Sequence, residues 1–231
     1  MPESLKNKRK RMGEILSLLK TAYPHSKCSL YHQNPFQLLI ATMLSAQCTD
    51  ERVNKVTPPL FQHYPSPELM ATAPIESIIE LIRSTGFFNT KSQNIKACSI
   101  ELMTRFNGDV PSNIEDLVSL PGVGRKTANV VLGTIFKIPG IVVDTHVIRM
   151  ANLLKFVNGK DAVKIEKELE KVIDKDDWTL FTHLIIDHGR AVCIARRPQC
   201  GNCVLSELCP SFHLIPEYEI EPRKTRKRKS S

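Results

Sequence analysis

The chain holds 231 residues, 42% of them apolar, which suits one large or two small packed domains and excludes disorder along the whole length. No uncharged apolar run approaches the ~18 residues a membrane-crossing helix needs, and the N-terminus, MPESLKNKRKRMGEI, has no apolar signal core. The net charge of +8 sits at the ends: residues 1–11 carry +4 and residues 222–231 carry +6, so the stretch between sums to −2 and charge alone argues only weakly for nucleic acid. The expected setting is the cytoplasm of a bacterium or the nucleus of a eukaryote, without a membrane partner. A monomer is expected.

Helical spacing dominates. Met12, Ile15, Leu16, Leu18 and Leu19 share a 3.6-residue period, with Pro24 as a stop. Asn34-Pro35 reads as an N-cap and first-turn proline opening PFQLLIATMLSA. Asp50 reads as the cap of a short helix ended by Pro58. Ser66-Pro67-Glu68 and Ala73-Pro74-Ile75-Glu76 start two more, and Thr90 to Phe106 is a long helix stopped at Asn107-Gly108. Ser112-Asn113-Ile114-Glu115 reads as a capping box. Residues 125–137, 145–155, 161–173 and 177–188 are expected helices, and Ile141-Val142-Val143 is the one strand-like run, too short for a sheet. The expected class is all-α.

Between the capped helix and residue 125 the chain reads LPGVGRKTA. Gly122 and Gly124 permit positive φ and close approach of a ligand, and the helix that follows offers unpaired N–H groups and its positive dipole end. A bare G-x-G is an ordinary turn signal; with Leu120 and Val123 as anchors and Arg125 as a charge, the whole string points to a phosphate held by Gly122, Val123, Gly124 and Arg125. Lys126 falls in the first turn, where the dipole disfavours a cation. An uncharged amine there is a nucleophile able to form a Schiff base with a sugar aldehyde carbon. Asp144 precedes Thr145-His146 and reads as the next N-cap; its carboxylate can also take a proton or stabilise positive charge on a sugar. Alone, each residue has a plainer reading, a solvated lysine and a helix cap. His146 is given no role.

Seven cysteines include four crowded as Cys193, Cys200, Cys203 and Cys209, a C-x6-C-x2-C-x5-C spacing. In a reducing compartment this crowding favours a metal site over disulfides, and the spacing alone leaves zinc and iron–sulfur both open. Arg196 and Arg197 lie on the loop the first gap encloses, where they can reach phosphates. Cys28, Cys48 and Cys98 read as small core residues.

Taken together, PFQLLIATMLSAQCTD (35–50), LPGVGRKTANVVL (120–132), VDTHVIRM (143–150) and HGRAVCIARRPQCGNCVLSELCP (188–210) resemble the endonuclease III family of DNA glycosylases. The resemblance implies a helix-hairpin-helix fold of two domains with a DNA-binding cleft between them. These would be a six-helix bundle over 28–138 and a [4Fe–4S] cluster domain formed by 1–27 with 139–215, followed by a basic tail at 216–231. It implies excision of oxidised pyrimidines such as thymine glycol from duplex DNA, then strand cleavage at the abasic site by β-elimination. Lys126 matches the Schiff-base nucleophile, Asp144 the catalytic carboxylate, and Gln47 a residue that fills the gap left by an extruded nucleotide. Phe87 falls where the family places a wedge. The four cysteines match the cluster ligands. Cys48 stands where many relatives have alanine, and Val118 where some have glutamate. Two other readings stay open. One is an adenine-mismatch glycosylase, whose members usually lack a lysine at the position of Lys126. The other is a non-catalytic DNA-binding module with a structural metal.

Overall fold

Why the chain folds as two cores is visible in its most apolar helix. Helix α2 (Pro35–Leu44) is capped by the Asn34 side chain, and Phe36 to Leu44 are all buried, so it runs through the middle of a packed unit rather than over its surface. The computed structural model describes residues 3–212; the basic tail expected at 216–231 lies outside the described residues. Around α2 pack α3 (Asp50–His63), α4 (Pro67–Thr72), α5 (Ile75–Ile82), α6 (Phe88–Phe106), α7 (Ile114–Ser119) and α8 (Arg125–Val131). Their apolar side chains, from Leu30 to Leu132, form one continuous core. A second core joins Met12, Ile15, Leu16 and Leu19 of α1 (Leu5–Ala22) to residues between Ile141 and Leu205, carried by α9 (Thr145–Leu153), α10 (Ala162–Glu170) and α11 (Trp178–Ala191). The described residues contain no strand; 141–143 is extended chain crossing between the cores. The protein is all-α.

Local differences from the expected elements have physical causes. Pro58 and Pro59 do not end α3, which runs on to His63. Val56, Thr57, Leu60 and Phe61 are buried along that stretch, and their packing outweighs the two missing backbone donors. Thr49, not Asp50, caps α3. The cap before α7 is Asn113 rather than Ser112: its Oδ1 accepts from the Asp116 N–H at 2.8 Å while its Nδ2 donates to the Asp116 carboxylate at 2.7 Å. Leu18 faces solvent, leaving Met12, Ile15, Leu16 and Leu19 as the buried stripe of α1. Beyond α8 the chain widens into one π turn, Leu132–Phe136, where Gly133 lies so close to α11 that a Cβ would sit 2.7 Å from Thr179 Oγ1.

Candidate active site and cysteine loop

The hairpin is a turn fastened from below. Leu120 and Val123 are buried, and Val123 N–H donates to Leu120 C=O at 3.1 Å. The two glycines have different duties. Gly122 has φ +73°, and a Cβ there would fall 2.7 Å from Asn94 Cβ, so both backbone and packing demand glycine. Gly124 has φ −93°, and a Cβ there would meet nothing within 4 Å. Nothing inside the protein requires glycine at 124; the open space lies beside the first turn of α8, whose N–H groups receive no side-chain cap. Val123 anchors the turn, while Arg125 is turned toward the second core. Its Nε donates to Glu166 Oε2 at 2.9 Å, and Asn129 Nδ2 donates to Glu166 Oε1 at 3.0 Å. The buried Glu166 carboxylate favours the charged guanidinium and ties α8 to α10.

Lys126 is exposed at the tip of α8 and makes no hydrogen bond or ion pair among the described residues. Asp144 caps α9, its Oδ1 accepting from Val147 N–H at 2.9 Å, while no described hydrogen bond reaches its second oxygen. These groups come from different cores, yet both charges are felt at one imidazole. Burial pushes the His146 pKa down; Asp144 opposes that, and Arg149, Arg190 and Lys126 add to it. The ring fits because Gly189 of α11 has no side chain: a Cβ there would lie 2.7 Å from His146 Nδ1.

Sequence reasoning missed Asp50 and Arg190 as a pair. Arg190 Nη2 donates to Asp50 Oδ2 at 2.8 Å, linking the end of α11 to the start of α3, and Ser29 Oγ donates to the same oxygen at 2.6 Å. Burial alone would raise the Asp50 carboxyl; the hydrogen bonds from Ser29 and Arg190, with the Arg190 and Lys126 charges, bring it below its ordinary value. Residue 50 thus links α3 of the first core to α11 of the second. The signal available beforehand was slight: one acid that reads as the cap of a helix.

Gln47 and Phe87 lie together. Both are exposed, both have left-handed backbones (φ 53° and 48°), and with Met43, Asn94 and Gly122 they line one groove of about 600 Å³ including its open mouth. A non-glycine residue at positive φ is strained, and such strain gathers at working sites.

The four cysteines line one cavity beside His188. Arg149 of α9 donates from Nη1 to the Cys193 carbonyl and, at 3.2 Å, to its sulfur. His188 Nε2 stands 3.4 Å from Cys203 Sγ, and Tyr23 Oη 3.0 Å from His188 Nδ1. Burial, with Arg149 adding to it, pushes His188 down to about 4. Burial also pushes the Cys203 thiol up to about 11, and the neighbouring cysteines add to the rise. Four thiolates in this cavity therefore need a multivalent cation to offset their charge. Four cysteine sulfurs lining one cavity are the donor set an iron–sulfur cluster takes. Arg196 and Arg197 are exposed on the loop between Cys193 and Cys200.

Comparison with known proteins decides the family. Residues 40–175 match the HhH-GPD superfamily base excision DNA repair protein profile, and residues 193–209 match the iron–sulfur binding domain of endonuclease III. Endonuclease III of Synechocystis sp. is 52% identical over 206 residues, covering 89% of this chain and 94% of the relative. The chain belongs to the endonuclease III family. It is therefore a base-excision-repair DNA glycosylase with the helix-hairpin-helix fold, and the group suited to its four cysteines is a [4Fe–4S] cluster. Two solved endonuclease III structures, a non-covalent DNA complex and a trapped covalent DNA intermediate, each superpose with a TM-score of 0.85 at 42% identity, covering 89% of this chain and 97% of theirs. No helix among the described residues is long and apolar enough to cross a membrane.

Proposed function

We propose that this enzyme removes oxidised pyrimidines from duplex DNA and cleaves the strand at the resulting abasic site, with Lys126 as nucleophile and Asp144 as catalytic carboxylate. The carrying observation is that Lys126 stands exposed and unpaired among the described residues at the tip of α8, directly after the hairpin, while Asp144 caps α9 with one carboxylate oxygen free of described hydrogen bonds. The two cores are read as two domains, 28–138 and 1–27 with 139–215, and DNA lies in the cleft that the Asp50–Arg190 pair bridges.

The target sugar carbon is inaccessible in a stacked duplex, so the damaged nucleotide is extruded, and damage makes that easier. Gly124 and the uncapped N–H groups of α8 hold a backbone phosphate without reading sequence. Arg196 and Arg197 add positive charge on the cysteine loop. Gln47 and Phe87 enter the space left in the stack. Attack needs the uncharged amine, and the Asp144 carboxylate takes its proton. Lys126 Nζ then bonds to C1′ as the glycosidic bond breaks, and its electron pair leaves with the base, which takes up a proton. The sugar ring then opens, O4′ leaving C1′ with its electron pair and taking up the proton held by Asp144, which yields a protonated Schiff base. Loss of a C2′ proton drives cleavage of the C3′–O3′ bond, the 3′ phosphate departing with those electrons. Water then hydrolyses the imine and restores the lysine. Cys193, Cys200, Cys203 and Cys209 hold the cluster, whose contribution is to organise this part of the fold. That the protein acts as a monomer belongs to this reading.

The test is reduction by borohydride in the presence of a duplex carrying thymine glycol. The wild-type protein yields a covalent protein–DNA adduct, consistent with the trapped covalent intermediate of a 42% identical relative, and Lys126→Gln yields none. A wild type that binds DNA with its cluster intact but is never trapped removes the lyase assignment.

A further inference from the structure

The groove holding Gln47 and Phe87 rests on a group the mechanism does not use. Lys91, one turn into α6, is 7% exposed, and its ammonium donates to two backbone carbonyls, Leu44 at 2.8 Å and Thr85 at 2.9 Å. Leu44 is the last residue of α2, three positions before Gln47; Thr85 ends the 3-10 turn two positions before Phe87. The Lys91 backbone N–H also donates to Phe87 C=O at 2.9 Å. Burial disfavours the charge on this side chain, while the neighbouring Cys48 sulfur favours it. An apolar side chain of similar length would fill the space without that cost, so the donors themselves are what the site uses. Both segments they hold run directly into a non-glycine residue at positive φ, a conformation that persists only where its surroundings over-determine it. The same helix supplies Asn94, against which Gly122 of the hairpin is packed. Helix α6 is thus the common base of groove and hairpin.

We propose that Lys91 is a positioning residue: its buried ammonium clamps the Leu44 and Thr85 carbonyls together and so presents Gln47 and Phe87, as one unit, to the gap left by the extruded nucleotide. This rests on the gap-filling reading of those two residues. The clamp matters for opening a paired, stacked site. It matters little once the base is already gone, because an abasic nucleotide is extruded at lower cost.

Lys91→Met keeps the length and removes the donors. Holoenzyme of this variant is compared with wild type in three ways: single-turnover base release from a fully paired thymine glycol duplex, strand cleavage at a pre-formed abasic site, and fluorescence of a 2-aminopurine next to the lesion, which reports unstacking. The expected result is base release slowed by about 10- to 100-fold, loss of the fluorescence change, and abasic-site cleavage within about twofold of wild type. In the Gln47→Ala/Phe87→Ala background, Lys91→Met adds nothing further to the loss, because the clamp then has nothing to present. Base release and fluorescence within twofold of wild type overturn the proposal. So do equal losses in both reactions, or an unfolded protein both for Lys91→Met and for Lys91→Gln, which retains donors. If Gln47→Ala/Phe87→Ala itself leaves base release and fluorescence unchanged, the gap-filling reading fails, independently of the clamp.

Discussion

The two halves of the proposed active site are held by different means. Lys126 belongs to the first core, where a tight turn is nailed down by Leu120 and Val123 and by the seat that Asn94 offers Gly122; its position follows from apolar burial and backbone geometry. Asp144 belongs to the second core. It caps α9, and α9 is tied through Arg149 to the carbonyl and sulfur of Cys193. Around the cysteines regular structure gives way to short 3-10 turns at Cys200–Asn202 and Ser206–Leu208. One half is therefore self-supporting, and the other leans on the cysteine loop through Arg149.

The sharpest way to separate the halves is to disable each alone. Asp144→Asn keeps an acceptor for the Val147 N–H, so α9 stays capped and the variant folds and binds DNA. It loses the proton acceptor, and base release is expected to fall by roughly 10²- to 10⁴-fold. Near-normal release in single-turnover assays would show that the carboxylate is only a cap.

Removing iron tests the dependence of the second half. Cys203→Ala, or chelation from unfolded protein followed by refolding, is expected to abolish the visible absorbance and to expose amides of residues 193–209 and the N-terminal turn of α9 to hydrogen exchange. Amides of α2 and α6 stay protected, since their core, from Leu30 to Leu132, contains no cluster ligand. Loss of protection in both cores together would mean that the cluster supports the whole molecule.

What was legible in the sequence follows the same division. The hairpin, Lys126, Asp144 and the cysteine spacing were readable because each is local: a turn, a cap, a run of ligands within 17 residues. The pairs that join the cores were not. Arg190 and Asp50 are 140 positions apart, Arg125 and Glu166 are 41 apart, and Lys91 reaches a carbonyl 47 residues away. No period or motif encodes such partners; Arg125 reads as a charge beside the phosphate site, and nothing in the sequence shows that Glu166 pairs with it. Faint signals existed. Gly133 and Gly189 interrupt helical patterns, and in both cases the missing side chain is what lets the two cores, or a histidine and a helix, approach. The prolines of α3 misled for the converse reason, because burial of Leu60 and Phe61 overrode a local rule.

The bridge between the cores is itself testable. Asp50→Asn keeps a hydrogen-bonding side chain but removes the charge facing Arg190 and Lys126. At pH 7 it is expected to cost about 1–3 kcal/mol in denaturant unfolding. The folded-state pKa of Asp50 lies below its ordinary value of 3.8, so its contribution is present above that value and is lost as pH falls through the folded pKa. The stability difference between wild type and Asp50→Asn therefore shrinks below about pH 4. A difference that stays constant down to pH 3 would show that the ion pair does not join the cores energetically.

The smallest expected effects distinguish two residues of the same turn. Gly122→Ala meets both a left-handed φ and the Asn94 side chain, and is expected to destabilise the fold by about 1–2 kcal/mol from the backbone alone. Gly124→Ala meets neither obstacle; it lowers stability by roughly 0.5–1 kcal/mol, because glycine is a better N-cap than alanine. Its methyl group enters the open space beside the first turn of α8, where the proposed DNA phosphate rests, so undamaged duplex binding is expected to weaken by several-fold, more than that stability change accounts for. If Gly124→Ala binds DNA as wild type does, the uncapped turn of α8 is not where the backbone rests, and the hairpin serves only to aim Lys126.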